Sequence, residues 1–143
     1  MADADVLINL CTAIYTKFST SNDFNTSVNG QLFENEAPEG TEYPYAVYSI
    51  VSAPKEKTFS EEYTNTLIQL SLYSSNMDST EIKNMYYQAK ALFHEKELTI
   101  TGSTLVWMKK ETLITDIQEE TTPGGTRKVR VYHVDFEVKT SLN

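Results

Sequence analysis

The feature that most constrains the fold is the alternation near the C-terminus. In "TRKVRVYHVDFEVKTS", residues 126–141, Tyr132, Val134, Phe136 and Val138 occupy every second position, which is the period of a strand with one buried face. The segment before it, "LTITGSTLVWMKKETLITDI", reads as extended chain with a turn at Gly102, and "QEETTPGGT" lies between the two. Pro123-Gly124-Gly125 supplies a flexible turn, because proline presets its own φ and glycine accepts dihedrals closed to other residues. The pair is predicted as a β-hairpin with a protruding polar tip.

Two helices are predicted upstream. Across residues 3–19, Leu7, Leu10, Cys11, Ile14 and Phe18 recur at spacings of three and four, with Asp3 or Asp5 available as cap. A second helix begins around Asp78, with Glu81 three residues on as in a capping box, and carries the stripe Ile82, Met85, Tyr86, Ala89, Leu92 and Phe93 before ending at "HEKE". "STSNDFNTSVNG", residues 19–30, is rich in turn formers, and Gln31-Leu32-Phe33 allows only a very short strand. Residues 45–52 read as a strand bounded by Pro44 and Pro54, neither of which could donate to a ladder. Residues 63–74 read as the next strand, and the charged link "APKEKTFSEE" is predicted as the mobile loop of an antiparallel hairpin, with Phe59 its one apolar exception. Helices and strands in this order indicate an α+β fold: an antiparallel or mixed sheet of about four to five strands with two helices packed on one face.

A chain of 143 residues matches one domain with one core, so residues 1–143 are expected to form a single unit. With 40% hydrophobic and 22% charged residues, the chain is too apolar to be disordered. The formal charge of −8 repels phosphates and anionic membranes, which disfavours sequence-specific DNA binding. Cys11 is the only cysteine, so no internal disulfide can form, and its place on the helical stripe reads as a buried, inert thiol. No apolar run approaches the length of a membrane span, and "MADADVLINL" has no basic segment of the secretory kind, so synthesis and retention in a cytoplasm are expected.

The residues that could carry chemistry do not assemble into a known constellation. His94 is expected at a helix C-terminus, where the dipole favours a cationic ring. His133 shares a strand face with Asp135, but a metal site would need a third ligand. Gly124-Gly125 has neither the Lys nor the following helix of a phosphate loop. The pairs Glu61-Glu62 and Glu119-Glu120 are adjacent in sequence, so their carboxylates point apart and do not resemble a glycosidase couple. Arg127, Lys128 and Arg130 form the one basic cluster, suited to salt bridges with a partner or neighbour. Trp107 is expected in the core. In "EGTEYPYAVYSI", Pro44 stiffens the entry to a strand and biases Tyr43 away from helix. Tyr43 and Tyr45 either cap the core or face a neighbouring subunit. No enzyme, cofactor or metal is expected, and the working parts are expected to be surfaces.

The order of these features resembles the tail completion (tail terminator, head-tail joining) proteins of long-tailed bacteriophages over roughly residues 5–140. The resemblance rests on "NGQLFENEAPEG" with Ala37-Pro38 and Gly40 as turn, and on the strand entry Tyr43-Pro44-Tyr45-Ala46-Val47-Tyr48. It continues in "LIQLSLYSSN" leading into a helix at Asp78 to Glu81, in "ALFHEKELTITG", and in two long strands around a polar tip. The chain departs from the pattern at residues 53–62 and at "QEETTPGGTRK". The resemblance implies a virion structural protein, assembled in the host cytoplasm, that forms a ring, a hexamer, on the tail tube. Such a ring ends tube elongation and offers the head connector a joining surface, while DNA passes through its channel without sequence-specific binding. A head-closure protein or a tail tube subunit is the alternative within the same virion. Ring formation needs two different complementary patches per subunit. Tyr43, Tyr45, Phe59, Glu61, Glu62, Glu119, Glu120, Arg127 and Arg130 are the candidate contact residues, with the acidic segments 55–62 and 116–121 expected to face the channel or axial partners.

Overall fold

The last strand organises the molecule. In the computed structural model, which describes residues 3–142, the elements in chain order are α1 (Asp3–Phe18), α2 (Asp23–Ser27), β1 (Leu32–Glu34), β2 (Tyr45–Ser52), β3 (Lys55–Lys57), β4 (Glu62–Ser74), α3 (Thr80–Phe93), β5 (Ser103–Thr122) and β6 (Gly125–Leu142). They build one six-stranded sheet in the order β1-β2-β4-β6-β5, with β3 on β4 beyond the end of β2. β1 runs parallel to β2, and the remaining pairs are antiparallel, so the sheet is mixed. This is the expected α+β class with a strand or two more than sequence periodicity reveals.

The alternation in β6 puts Val134, Phe136 and Val138 on the face that α1 and α3 cover. Cross-strand neighbours on that face are Leu70, Ile68 and Thr66 of β4. Leu10, Ile14 and Phe18 of α1 and Ile82, Met85, Ala89 and Phe93 of α3 close the same cluster, each set at the three-and-four spacing that keeps one helical face inward. Phe93 meets Phe136 edge-on at 6.0 Å. α2 adds Phe24, which packs edge-on against Phe18 at 5.6 Å.

A second, smaller buried patch lies on the opposite face. Val131 is 0% and Val129 3% exposed, although both belong to the odd-numbered set of β6 that turns away from the helices. Val131 is flanked across the ladder by Tyr73, and Tyr73 by Tyr45. Val47, one rung along from Tyr45 on this face, is also buried. Polar pairs lie farther along that face: His133 Nδ1 lies 2.8 Å from the Ser71 hydroxyl, and Gln69 donates to Asp135.

Several expectations are corrected. The turn-rich segment 19–30 contains α2, because Asn22 caps it by accepting from the Asn25 N–H. The link between β2 and β4 is no free loop, since Lys55–Lys57 pairs with β4 and continues the line of β2 past Pro54. The capping box at Asp78 and Glu81 does not form: the cap residue is Ser79 without a side-chain bond, Asp78 accepts from the Thr80 N–H, and Glu81 accepts from the Ser74 hydroxyl. Trp107 is 37% exposed and lies between Lys109 and Lys139, whose ammonium groups stand 5.0 and 4.9 Å from its ring. Irregular register between Leu105 and Trp107 places it opposite Lys139 on the polar face. His94 stands at the C-terminus of α3, as expected, and its Nδ1 accepts the Lys110 N–H at 2.9 Å, which ties the helix end to the β5 edge. The link expected at residues 118–126 is mostly strand, and the hairpin stays paired to Thr122 and Gly125. The helix caps expected of Asp3 and Asp5 lie outside the described side chains.

Truncating Phe136, 1% exposed, is expected to cost about 3–5 kcal/mol in urea unfolding, because transfer and cavity terms add at a site this enclosed. Val51→Ala, at a residue 56% exposed on β2, is expected to stay within about 0.5 kcal/mol of wild type. A Phe136→Ala protein as stable as Val51→Ala contradicts the assignment of the core face.

Candidate functional site: a tyrosine-lined cleft and two open sheet edges

β4 ends at Ser74, opposite Arg130, whereas β5 and β6 run on together to Thr122 and Gly125. At about 3.4 Å per residue, the five residues of β6 beyond Arg130 carry the hairpin about 17 Å past the sheet. Beside this overhang lies the chain 35–44, which leads through the cis Tyr43-Pro44 bond into β2.

Tyr43 ties the two together. Its hydroxyl donates to Glu120 Oε2 at 2.9 Å, and the Arg127 Nε donates to the same oxygen at 2.9 Å. The Arg127 guanidinium also stands 4.8 Å over the Tyr43 ring. Tyr43 stacks on Tyr45 at 5.3 Å, Tyr45 on Tyr73 at 4.8 Å, and Phe33 meets Tyr45 edge-on at 6.4 Å. Glu120 and Arg127 are opposite each other in the hairpin ladder, so β pairing presents both to Tyr43 at once. Burial, and then the bond to Glu120, push the Tyr43 phenol well above its ordinary pKa; burial and the neighbouring Tyr73 raise that of Tyr45. Hydrogen bonds from Arg127 and Tyr43 hold the Glu120 carboxyl below its usual range.

Together with residues 35–42, these side chains line an open cleft of about 840 Å³. Its wall is acidic, with Glu36, Glu39 and Glu42 all exposed. Four of the nine candidate contact residues, Tyr43, Tyr45, Glu120 and Arg127, therefore come together. Arg130 donates to the Met77 carbonyl at 3.0 Å. Glu119 is exposed opposite Lys128. Phe59 is fully exposed near the far end of the sheet, where Glu62 pairs with Lys55 at 2.9 Å and Glu61 accepts from the Tyr63 hydroxyl. The candidates thus fall into two groups at opposite ends of β4. Tyr73 escaped sequence reasoning, since only the β2–β4 register reveals that it completes the stack.

Both sheet edges are partly open. The outer edge of β5 is covered at Met108 and Lys110 by Glu95 and His94, and among the described residues its stretch 111–122 has no backbone partner on that side. Ile114 and Ile117 are more than half exposed there. On the other edge, β1 pairs only with Ala46 to Tyr48, leaving β2 beyond Tyr48 open beside α1. There Leu7, Ile8, Cys11, Tyr15, Tyr48 and Ile50, with Glu34 at the rim, line a groove of about 600 Å³. Burial, assisted by Glu34, pushes the Cys11 thiol up to about 12, which keeps it protonated and unreactive. Burial likewise raises the Tyr48 phenol. Among the described residues there is no group of three or more His, Cys, Asp or Glu placed to hold a metal. Among the described residues no helix is long and apolar enough to cross a membrane.

Raised folded-state values mean that Tyr43 and Tyr48 contribute stability in full below the ordinary phenol pKa, and lose it as pH rises through the raised value. An alkaline absorbance titration of the phenolate band is therefore expected to lose a late-ionising step in Tyr48→Phe. A Tyr48→Phe protein that loses an early step contradicts the burial assigned to that hydroxyl. Replacing Tyr43 by Ala removes two ring contacts and is expected to cost about 1–2 kcal/mol, with Tyr43→Phe much milder because the stack is kept; equal losses in the two variants contradict the priority given to stacking.

Comparison with known proteins agrees with this architecture. No curated protein sequence matches the chain. Among solved structures, a chain from "Virion of native gene transfer agent (GTA) particle" superposes with a TM-score of 0.73 at 11% identity, covering 95% of this chain and 97% of that one, which establishes a shared fold. The model of the family "Tail completion protein gp17" matches residues 12–141. With nearly every element from α1 to β6 inside that match, the chain belongs to the tail completion protein gp17 family, and it is a structural protein of the tail or neck of a phage-like virion.

Proposed function

We propose that the chain closes into a hexameric ring on the last ring of the tail tube, ends tube elongation and presents the surface to which the head connector joins. The observation that carries this reading is the family match over residues 12–141. The superposition on a chain of a gene transfer agent virion, over 95% of this chain and 97% of that one, supports a role as a particle component. Two features of the fold support the ring. The two open sheet edges differ in shape and composition, as a heterologous head-to-tail contact requires, and the hairpin overhang provides a projection along which a ring can engage what lies above or below it.

On this reading the partners are further copies of the chain, the tail tube protein and the head connector. The acidic segments 55–62 and 116–121 then face the channel or axial partners. Asp116, Glu119, Glu61 and Glu62 there would repel DNA phosphates and keep the passing duplex from sticking. Phe59, Tyr43, Tyr45, Arg127 and Arg130 supply contact groups at the two ends of the sheet. The cluster of Glu120, Arg127 and Tyr43 works as a brace that sets the angle of the overhang; none of these groups is asked to do chemistry.

Deleting the gene in a producing host is expected to yield heads without tails and tail tubes of uncontrolled length under the electron microscope, with complementation restoring fixed lengths. Tubes of normal length that fail only to join heads would assign the chain to head closure. Loss of tubes altogether would make it a tube subunit. Cross-links from residues 55–62 and 116–121 that reach only the outer rim of the particle would contradict the channel-facing placement.

A further inference from the structure

The cleft beside Tyr43 carries more negative charge than its own ion pair uses. Glu120 is engaged by Arg127 and by the Tyr43 hydroxyl. Glu36, Glu39 and Glu42 wall the same cleft, and they are exposed and make no ion pair among the described residues. Residues 35–44 contain no Lys or Arg that could balance them. Carboxylates gathered around one concavity repel each other and any anion, and a cation seated among them relieves that repulsion.

The wall is held in place by the chain itself. The Glu36 N–H donates to the Glu34 carbonyl at 2.8 Å, and the Thr41 hydroxyl donates to the Pro38 carbonyl at 2.6 Å. The Gln31 side-chain amide donates to the carbonyls of Glu42 and Pro44 at 3.0 and 3.1 Å. A rim fixed in this way spares an incoming partner the entropy cost of ordering it.

The other side of the cleft is the stack of Tyr43, Tyr45 and Tyr73. Carboxylates beside aromatic rings suit one cation above others. An arginine lays its apolar stem along the rings while its planar guanidinium forks onto carboxylate oxygens. The molecule already contains such a contact: the Arg127 guanidinium stands 4.8 Å over the Tyr43 ring, and its Nε bonds Glu120 Oε2 at 2.9 Å. Tyr45 and Tyr73, with Glu36, Glu39 and Glu42, offer the same combination of ring and carboxylate a second time.

The second arginine comes from outside the chain. Arg127 and Arg130 are its only arginines; the first is held by Glu120, and the second donates to the Met77 carbonyl. A net charge of −8 also opposes the approach of another copy to an acidic cleft. A small molecule in an open cleft would keep much of its surface in water, whereas a chain segment laid across it needs to insert only a side chain. We propose that the cleft receives an arginine-bearing segment of a different protein, with the guanidinium among Glu36, Glu39 and Glu42 and its stem along Tyr45 and Tyr73. The contact goes beyond the tail role and does not depend on ring closure.

Fluorescence anisotropy of a labelled short peptide, with arginines separated by glycine and serine, titrated with the full chain at physiological ionic strength, tests the site. The same peptide with citrulline keeps the shape and loses the charge, and is expected to bind at least roughly tenfold more weakly. The protein with Glu36→Gln, Glu39→Gln and Glu42→Gln is expected to lose affinity for the arginine peptide by a similar factor. A protein with Glu95→Gln, Glu97→Gln and Glu119→Gln gives up the same charge elsewhere and is expected to bind as wild type does. All these positions are exposed, so both variants should melt with wild type. Absence of binding by wild type, equal binding of the arginine and citrulline peptides, or equal losses in the two variants overturns the site and leaves the tail role standing. Self-association of the wild-type chain in sedimentation, abolished in the cleft variant, would give the cleft to a second copy and overturn the assignment to another protein. Absence of the chain from the particle's tail would overturn the proposed function and leave the peptide result unchanged.

Discussion

The twelve-rung antiparallel ladder between β4 and β6, from Tyr63 opposite Ser141 to Ser74 opposite Arg130, is the constraint on which the other features depend. It joins the middle of the chain to its end, so its loop-closure cost is met only when the core face forms with it. One side of the ladder gives α1 and α3 their surface through Ile68, Leu70, Val134, Phe136 and Val138. The other side gives Tyr73 and Val131, against which the tyrosine stack is built. Because β4 stops at Ser74 while β6 and β5 continue, the same ladder also decides where the sheet ends and the overhang begins.

Tyr43, Glu120 and Arg127 follow from that mismatch in length. An unsupported two-stranded extension is marginal in water. Here its base is tied to Tyr43 by one phenol bond and a guanidinium above the ring, with the Glu120–Arg127 ion pair bridging the hairpin's own strands. The ion pair is half exposed and contributes little by itself; the stack of Tyr43, Tyr45 and Tyr73 contributes more because rings exclude water from Val131 and Val47. Tyr43 and Tyr45 thus act inside the subunit. Their outer surfaces line an open cleft, so a partner's contact there would add to the brace without replacing it.

Much of this was legible in the sequence where a single period dominates. The alternation of Tyr132, Val134, Phe136 and Val138 marked β6, and the stripe from Ile82 to Phe93 marked α3, because burial on one face leaves a regular trace. The elements that escaped are those fixed by tertiary partners. β3 is a run of Lys, Glu and Lys, and only its pairing with β4 makes it a strand. Trp107 reads as core by residue type, but an irregular register turned it to the polar face under two lysines. Glu120 and Arg127 were marked by charge, and their meeting with Tyr43 required knowing that the hairpin is paired to its tip. Glu36, Glu39 and Glu42 were in plain view; that they wall the tyrosine cleft depended on the path of residues 35–44, which no local pattern encodes.

The family places the chain in the tail or neck of the virion, and the fold offers that placement two partly open sheet edges and a tyrosine-lined cleft. A short element that terminates a tube must be made in one layer. Electron cryo-microscopy of intact particles, at a resolution sufficient to trace β5 and β6, is the most direct measurement. The account expects a single ring of this chain between the last tube ring and the head connector, with neighbouring subunits meeting head to tail. Density for the chain repeated along the length of the tail, or none between tube and connector, would contradict it.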